Sequence, residues 1–379
     1  MKKTSIILLA LLALISCRKD IVVAPTEQTQ ITTGSDTTTL QGFYLLNEGN
    51  MGSNKATLDY YDFTTGVYHS NIYAQNNPNV VMELGDVGND LQIYGSQLYA
   101  VINASNKIEV MNAQTAKRIG QINVPNCRCL AFSGQYGYVT SYAGPISLDQ
   151  SHAQKGYVLK FDTATLQTID TCLVSYQPEG LVIVDNKLFV VNSGGYMQPK
   201  YDSVMSVIDI ATFKEIKRVV VDINMQHIIA DKYNHLWINT QGNYYDRPSC
   251  LYCVDASTCN ILAKTEMPVS NMYLEGDSLY FYSTAWSYIE NKNAISFGII
   301  NVRTKETIAE NIITDGTQNE IEMPYGICVN PQNKDLYITD AKNYVVPGSL
   351  SCYDSTGKRR WTIRTGDVPA HFALLYKIK

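Results

Sequence analysis

The stretch that decides the fold covers residues 204–220 and reads VMSVIDIATFKEIKRVV. Apolar and polar residues alternate up to Asp209 and again from Lys214, which is the spacing of two β-strands. Between them stand Asp209 and Thr212, and an Asp at the head of a turn accepts hydrogen bonds from backbone amides two or three residues later. The stretch therefore predicts two antiparallel strands joined by a tight turn.

The same turn recurs along the chain. Its seven head residues, spaced by 46 to 53 residues, are Asp62, Asn112, Asp162, Asp209, Asp255, Asn301 and Asp354. Six of them have Thr three residues later, and the seventh has Gly357. Two further short apolar segments precede each hairpin, so each unit contains four strands, named A to D from the inside outwards. Seven such units are typical of a seven-bladed β-propeller, an all-β fold with four-stranded blades.

The two ends of the chain favour a closed ring. The first repeat begins near Phe43 and has room for three strands, whereas the chain ends with an additional apolar segment at residues 371–377. Placed in the first blade, this C-terminal strand completes the sheet and leaves no long open edge. Two independent β domains are the alternative, but they require a break in the repeat or a linker, and neither is visible.

The N-terminal residues have the pattern of an export signal. Lys2 and Lys3 precede an apolar run that is too short to span a bilayer, and Cys17 follows Ser16. We interpret residues 1–17 as a lipoprotein signal peptide with a lipidated Cys17; an ordinary cleaved signal is the alternative. Residues 18–41 are rich in threonine and are predicted to be a flexible tether, which leaves residues 42–379 for the propeller.

The overall composition bears on the class of partner. The formal net charge is −5 and charged residues are 17% of the chain, without a basic stripe, so nucleic acid is not expected as a partner. Tyrosine is unusually frequent, with 27 residues against 9 phenylalanines. A tyrosine has an apolar ring and a polar tip, which suit half-buried strands and binding surfaces.

Eight of the nine cysteines follow Cys17. Cys250 and Cys253 are three residues apart in a predicted strand and therefore point to opposite faces, so a zinc site is not expected there. Cys253 and Cys259 flank a short turn. They either form a disulfide, which export would permit, or are small buried side chains.

One face of the predicted propeller carries the loops that join B to C and D to A, and we call this face the mouth. The predicted B-to-C loops cover residues 47–56, 141–156, 192–203, 240–249, 283–294 and 340–349. These loops are long and aromatic, whereas the turns of the opposite face are short. The residues that we expect to bind a ligand are Tyr142, Tyr196, Tyr201, His227, Tyr244, Tyr245, Arg247, Trp286, Tyr288, Tyr325, Tyr344, Asn192 and Gln241. Stiff aromatic side chains on such loops are typical of recognition surfaces, and the alternative is that they only cover the rim.

Catalytic motifs are absent from the sequence. There is no HExxH motif, no nucleophile elbow and no phosphate-binding glycine loop. We therefore predict a protein that is not an enzyme, with no catalytic residue and no metal site. A lactonase-like propeller that holds calcium through carboxylates in its central channel is the alternative.

Several segments resemble one known family. Residues 46–62, which read LNEGNMGSNKATLDYYD, and residues 324–331 and 336–344 of the last repeat are similar to Bacteroidetes surface lipoproteins with YncE-like seven-bladed propellers. The resemblance covers residues 42–379, and BtuG proteins belong to this set. It implies a lipoprotein that captures cobalamin or another corrinoid as a ligand, rather than as a catalytic cofactor.

The same resemblance implies a location and a partner. The partner would be a BtuB-like TonB-dependent outer-membrane transporter. Arg18, Lys19 and Asp20 are similar to the signals that send such lipoproteins to the exterior of the cell. The expected location is therefore the outer membrane, with a lipid anchor and the propeller outside. A related surface protein for a glycan or a protein ligand is the alternative.

Overall fold

The computed structural model describes residues 24–35, 39–80, 83–146, 152–287 and 292–377. The described chain forms seven antiparallel sheets, one of five strands and six of four. The innermost strands of successive sheets contact one another around a ring. The predicted seven-bladed β-propeller is confirmed.

The strands follow one another along the chain with few other elements between them. The first fourteen are β1 (Gln28–Gln30), β2 (Leu40–Asn47), β3 (Thr57–Asp62), β4 (Val67–His69), β5 (Gly88–Tyr94), β6 (Gln97–Ile102), β7 (Lys107–Asn112), β8 (Arg118–Asn123), β9 (Cys127–Ser133), β10 (Tyr136–Ser141), β11 (Tyr157–Asp162), β12 (Thr168–Leu173), β13 (Pro178–Val184) and β14 (Lys187–Asn192). The other fifteen are β15 (Val204–Asp209), β16 (Lys214–Val220), β17 (Met225–Ala230), β18 (His235–Thr240), β19 (Cys250–Asp255), β20 (Ile261–Thr265), β21 (Asn271–Glu275), β22 (Ser278–Ser287), β23 (Lys292–Asn301), β24 (Glu306–Glu310), β25 (Pro324–Val329), β26 (Leu336–Asp340), β27 (Pro347–Tyr353), β28 (Arg359–Asp367) and β29 (Pro369–Tyr376). A short helix α1 (Ile72–Asn76) follows β4, and a 3₁₀ turn covers Thr317–Glu320. No helix in the described ranges is long and apolar enough to cross a membrane.

Blade 1 is built from both ends of the chain. Strand β29 lies innermost, and β2, β3, β4 and β1 follow outwards. The pairing of β2 with β29 brings Leu46 opposite His371. Blades 2 to 7 each take four consecutive strands, starting with β5, β9, β13, β17, β21 and β25. The predicted closure of the first blade by the C-terminal strand is therefore confirmed.

The recurring Asp or Asn residues form the turns between strands C and D. The Oδ1 atom of Asp209 accepts hydrogen bonds from the amide of Thr212 at 2.8 Å and from its hydroxyl at 2.7 Å. The other six heads accept backbone amides in the same way. In the last turn the hydroxyl of Thr356 replaces that of the missing Thr. Because these turns are tight, the C-to-D loops on the face opposite the mouth are short.

The hydrophobic core lies between neighbouring blades. Between blades 4 and 5, for example, the buried side chains of Phe189 and Met205 pack with those of Ile238 and Tyr252. Each sheet thus buries both faces, and burial of apolar surface is the main source of stability. Each blade therefore needs both neighbouring blades to bury its two faces. Closure of the ring brings blade 1 against blade 7 and so buries the last two exposed faces.

Part of the predicted tether is ordered, and that part of the prediction is wrong. Gln28–Gln30 form β1, which pairs antiparallel with β4, and the next strand begins at Leu40 rather than at residue 42. The physical reason is backbone pairing: the open edge of β4 offers hydrogen bonds that do not depend on apolar side chains. The predicted signal peptide and Cys17 lie outside the described residues.

The eight described cysteines are free thiols. Cys253 and Cys259 are both buried and unpaired, so the disulfide considered between them does not form. Burial raises the pKa of Cys253 to about 12. This thiol is therefore a small apolar side chain of the core.

Asp231, in the turn between strands A and B of blade 5, gives a testable prediction for stability. Its buried carboxylate accepts hydrogen bonds from the amides of Tyr233 and His235 and from Trp237 Nε1, at 2.8 to 3.0 Å. Asp231→Ala leaves the buried indole N–H without an acceptor. We expect the free energy of unfolding to fall by about 2–4 kcal/mol, measured by denaturant titration. The control is the turn head Asp255, whose turn hydrogen bonds are exposed to solvent, and Asp255→Ala should cost about 1 kcal/mol because water replaces the lost acceptor. Equal losses would contradict the prediction.

Candidate functional site

The mouth is built on one repeated hydrogen bond. In six blades the first residue after strand B donates its amide to the carbonyl of the residue before strand A. In blade 7 this pair is Ala341 with Met323, and in the other five blades the accepting residue has a left-handed backbone. The other five donor–acceptor pairs are Glu48 with Val368, Asn103 with Val87, Tyr142 with Asn126, Ser193 with Gln177 and Gln241 with Asn224. The two valines have φ values of 54° and 58°, which are strained for a β-branched residue. In these blades the bond joins the B-to-C loop to the D-to-A loop.

One half of the mouth is braced by a buried ion pair. Arg128 Nε lies 2.9 Å from Glu179 Oε2, and the hydroxyl of Tyr142 donates to the other oxygen of Glu179. The guanidinium of Arg128 also lies 5.0 Å from the centre of the Tyr142 ring. Tyr142 is only 4% exposed, and burial raises the pKa of its hydroxyl well above its usual range. This tyrosine, predicted to bind ligand, is therefore a structural brace whose ring is closed to a large ligand.

The other half of the mouth contains a cavity of about 220 Å³ between blades 5, 6, 7 and 1. Glu48 lines this cavity, and its carboxylate contacts His371 Nε2 at 2.9 Å and accepts a hydrogen bond from the hydroxyl of Tyr325 at 3.1 Å. The ring of Tyr325 makes an edge contact with Tyr344, at 5.7 Å between centroids. The predicted residues that line this cavity are His227, Gln241, Tyr325 and Tyr344. The structure therefore brings these four together around a carboxylate.

His227 is held neutral in this cavity. Burial lowers its pKa to about 4, and the nearby positive charges of His371 and Arg128 act in the same direction. A neutral imidazole offers one hydrogen-bond donor and one acceptor. At neutral pH, His227 therefore suits an uncharged polar group such as an amide.

The shifted pKa of His227 predicts a pH dependence of stability. Its folded-state pKa of about 4 lies below the ordinary value of 6.5, so the unfolded chain binds more protons between these values. Stability is highest above pH 6.5 and falls as pH drops through this window, by at most about 3 kcal/mol from this group. We expect His227→Gln to lose less stability than the unchanged protein between pH 7 and pH 4.5 in denaturant titrations. If the variant and the unchanged protein lose the same stability over this pH range, groups other than His227 cause the pH dependence.

The B-to-C loop of blade 5, residues 241–249, projects from the mouth. Its tip is organised by Asn243, whose Oδ1 accepts the amides of Tyr245, Asp246 and Arg247 at 2.9 to 3.1 Å. Arg247 is paired with the buried carboxylate of Asp222, and Tyr252 donates to the same carboxylate at 2.7 Å. Arg247 therefore anchors the loop to its blade.

The aromatic side chains of this loop point outwards. Tyr244 is 65% exposed and Tyr245 is 84% exposed, and no hydrogen bond of the hairpin uses their rings. Tyr201, in the corresponding loop of blade 4, lies close enough for both tyrosines to raise its pKa, after burial as the main cause. Three predicted residues thus lie near one another on the rim.

The whole mouth is unusually apolar at its rim. The exposed large hydrophobic side chains of its B-to-C loops are Met51, Tyr196, Tyr244, Tyr245, Tyr344, Val345 and Val346, and Leu173 and Val220 are exposed at the mouth ends of two D strands. Within the described residues, the short turns of the opposite face carry no exposed side chain of this kind. Apolar rim groups around a polar centre are typical of a surface that binds an amphiphilic partner.

Asn192 is a predicted residue that does not reach the mouth. It is 0% exposed, and its amide donates to Val204 O at 2.7 Å and to Ser206 Oγ at 3.2 Å inside blade 4. The physical reason is strand alternation, which turns this last residue of β14 into the sheet packing. The side chain of Trp286 and the whole of Tyr288 lie outside the described part of the chain.

Three charged residues of the mouth were missed from the sequence: Glu48, Arg128 and His371. Glu48 occupies the same position after strand B as Tyr142 and Gln241. An alignment of the seven repeats at that position would have identified it. Arg128 and His371 lie on inner strands and become neighbours of the mouth only through the ring.

Metal binding was also considered for the mouth and channel. Among the side chains that the structure describes, no group of three or more His, Cys, Asp or Glu residues is placed to hold a metal ion. Both central carboxylates already have partners, since Glu48 contacts His371 and Glu179 contacts Arg128. These two carboxylates are thus parts of the scaffold of the mouth.

These features define a seven-bladed β-propeller with a polar central cavity and an apolar, tyrosine-rich mouth. Residues 41–368 match the family described as Domain of unknown function (DUF5074), and the chain belongs to this family. No curated protein matches the sequence.

Solved structures with low sequence identity share the propeller fold. One is the hydrazine synthase of Kuenenia stuttgartiensis, with 16% identity over 71% of this chain and 76% of that chain and a TM-score of 0.57. Another is a quinonprotein alcohol dehydrogenase-like protein of Bacteroides thetaiotaomicron, with 14% identity over 88% of this chain and 78% of that chain and a TM-score of 0.58. At these identities the similarity concerns the fold alone.

Proposed function

We propose that this protein captures cobalamin or another corrinoid at the mouth, as a lipoprotein of the outer membrane that faces the exterior. It then passes the ligand to a TonB-dependent transporter of the BtuB type. The observation that carries the proposal is the set of seven exposed apolar side chains, four of them tyrosines, which all lie in B-to-C loops of one face. The family resemblance of residues 46–62 supplies the identity of the ligand.

The chemistry of the mouth suits a corrinoid. Such a ligand has a flat apolar macrocycle with amides around its edge. Rings such as those of Tyr244 and Tyr245 supply stacking area, and His227 and Gln241 supply neutral partners for amides. The cavity of about 220 Å³ is smaller than a corrinoid. The macrocycle therefore lies across the rim, and only a side group enters the cavity.

The proposed role is binding without catalysis. The mouth carboxylates are occupied by internal partners, since Glu48 binds His371 and Tyr325 while Glu179 binds Arg128 and Tyr142. Groups held in this way position the loops and do not act as a free acid–base pair. Cobalamin is accordingly a ligand in this proposal, and no cofactor or metal is assigned.

Calorimetry with cyanocobalamin tests the proposal. Residues 24–379 are produced in soluble form and titrated with cyanocobalamin, while the visible absorption spectrum of the ligand is followed in parallel. We expect a one-to-one complex with a dissociation constant in the nanomolar range or below, and a shifted spectrum. Millimolar or absent binding would overturn the corrinoid assignment.

A protein ligand is the second candidate, and one observation favours it. Val345 and Val346 in blade 7 and Met51 in the neighbouring blade 1 are exposed apolar side chains of the B-to-C loops, and we call these three residues the aliphatic sector. Aliphatic side chains suit a protein surface better than a polar glycan. In the corrinoid proposal this sector contacts the transporter. Without corrinoid binding, stable association with another receptor would identify the second candidate.

A further inference from the structure

Strand β1 fixes the place where the N-terminal segment leaves the propeller. It pairs antiparallel with β4, with Gln28 opposite His69 and Gln30 opposite Val67. Val67 follows the C-to-D turn on the face opposite the mouth. Because the two strands run in opposite directions, the chain before Gln28 heads towards the mouth.

The residues before β1 are held at the mouth edge by further contacts. The amide of Ser70 donates to Glu27 O at 2.9 Å, and Asn71 Nδ2 donates to Ala24 O at 3.0 Å. Ala24 and Pro25 line a groove of about 290 Å³ between blades 7 and 1. The same groove is lined by Lys55, Thr57 and Asp367, which lie at the mouth ends of their blades. The docked segment 24–30, here called the strap, therefore presents Ala24 at the mouth.

We infer that the strap is an orienting device that holds the mouth towards the membrane, where it faces a membrane-embedded partner. The inference rests on the proposed lipidation of Cys17. Six residues lie between Cys17 and Ala24, and the seven residue-to-residue steps reach at most about 25 Å and on average about 15 Å. The six-residue strand β3 alone spans about 20 Å of blade height. If the opposite face lay on the membrane, the segment would have to be almost fully extended.

Releasing the strap would change the face from which the lipid anchor leaves the propeller, and with it the orientation of the mouth. After β1 the chain contacts the opposite face, where the amides of Ile31 and Thr32 donate to Gly66 O at 2.9 and 3.2 Å. Without the strap, the lipid anchor would connect to the propeller at Ile31, through the thirteen residues 18–30. The anchor would then leave from the face opposite the mouth.

Fluorescence quenching on vesicles tests the inference with the full lipidated chain. A fluorescent amino acid replaces Val345 at the mouth of blade 7 or the exposed Ser355 in the opposite turn of the same blade. The vesicles carry a nitroxide quencher on their lipid headgroups. We expect the probe at position 345 to be quenched at least twofold more than the probe at position 355. Equal or reversed quenching would overturn the inference.

A second pair of variants tests the strap itself. Thr29 pairs with Tyr68, and Thr29→Pro removes a backbone donor from this edge strand without touching the ring. We expect the quenching difference to vanish or reverse in Thr29→Pro and to persist in the control Thr29→Ala. If Thr29→Pro keeps the full quenching difference between positions 345 and 355, the strap does not set the orientation.

The outcome also separates this inference from the proposed function. Attachment to vesicles and binding of cyanocobalamin are measured on the same sample. If both occur and the two probes are quenched equally, the inference alone fails. If the chain does not attach, the proposed anchor fails and the inference fails with it.

Discussion

A chain that ends at Val368 is expected to lose cooperative folding. The truncation removes β29, the innermost strand of blade 1, and exposes the edge of β2 together with Phe43 and Leu45, which are buried in the complete chain. Truncating one buried leucine typically costs about 2–5 kcal/mol. Strand β29 contributes the buried Leu375 and the partly buried Phe372 and Leu374, and the net stability of a domain is only about 5–15 kcal/mol. The measurement is thermal unfolding followed by circular dichroism and calorimetry.

The control for this truncation is a chain that ends at Lys377, which keeps the whole of β29. We expect it to unfold with the same midpoint as the full chain. Adding the separate peptide 369–379 to the shorter chain should restore a cooperative transition, because the peptide supplies the missing ladder partner of β2. A truncated chain with a sharp transition within a few degrees of the full protein would show that closure by β29 is dispensable.

Replacing Tyr244 and Tyr245 together by alanine is expected to weaken cyanocobalamin binding by at least tenfold. Rigid aromatic side chains at binding surfaces commonly contribute 2 kcal/mol or more each, and about 1.4 kcal/mol corresponds to a factor of ten in affinity. Both rings are mostly exposed, and the loop is held by Asn243 and by the pair of Arg247 with Asp222. The free energy of unfolding should therefore change by less than about 0.5 kcal/mol. The two quantities are measured by calorimetry with ligand and by denaturant titration.

The matched control for the double variant is Tyr376→Ala. Tyr376 is also an exposed tyrosine, at 51%, but it ends β29 on the face opposite the mouth. We expect it to leave affinity unchanged. If the double variant loses stability and binding together, the loop packs on its neighbours and the tyrosines are rim cover. If affinity is unchanged, the ligand lies elsewhere.

The sequence predicted some of the residues exposed at the mouth, and there is a physical reason why it could not predict the others. The length and aromatic content of the loops identified the face, and Tyr244 and Tyr245 are exposed there. Tyr142 looked the same in the sequence, yet it is buried against Arg128 of its own blade and Glu179 of the next blade. Arg247 likewise pairs with Asp222, which lies 25 residues earlier. Local pattern indicates which residues reach a face, but not which partners the neighbouring blades place beside them.

The strap shows the same limit at the N-terminus. Residues 18–41 lack the apolar side chains that drive burial, so their composition predicted a tether. The pairing of Gln28–Gln30 with β4 depends on an open sheet edge that exists only after blade 1 has formed. Backbone hydrogen bonds of this kind leave almost no trace in side-chain composition.

By itself the sequence determined the number of blades, the order of strands and the closure of the ring. These follow from alternating apolar residues and from Asp or Asn turns, which act within a few residues and repeat seven times. Tertiary structure alone decided which side chains of the mouth are open and which are braces. It also placed Glu48 beside His371, 323 residues away, and brought His227 close enough to their cavity for burial to lower its pKa. The reason is that a propeller forms its centre from every blade, so the contacts there depend on the angle and position of all seven.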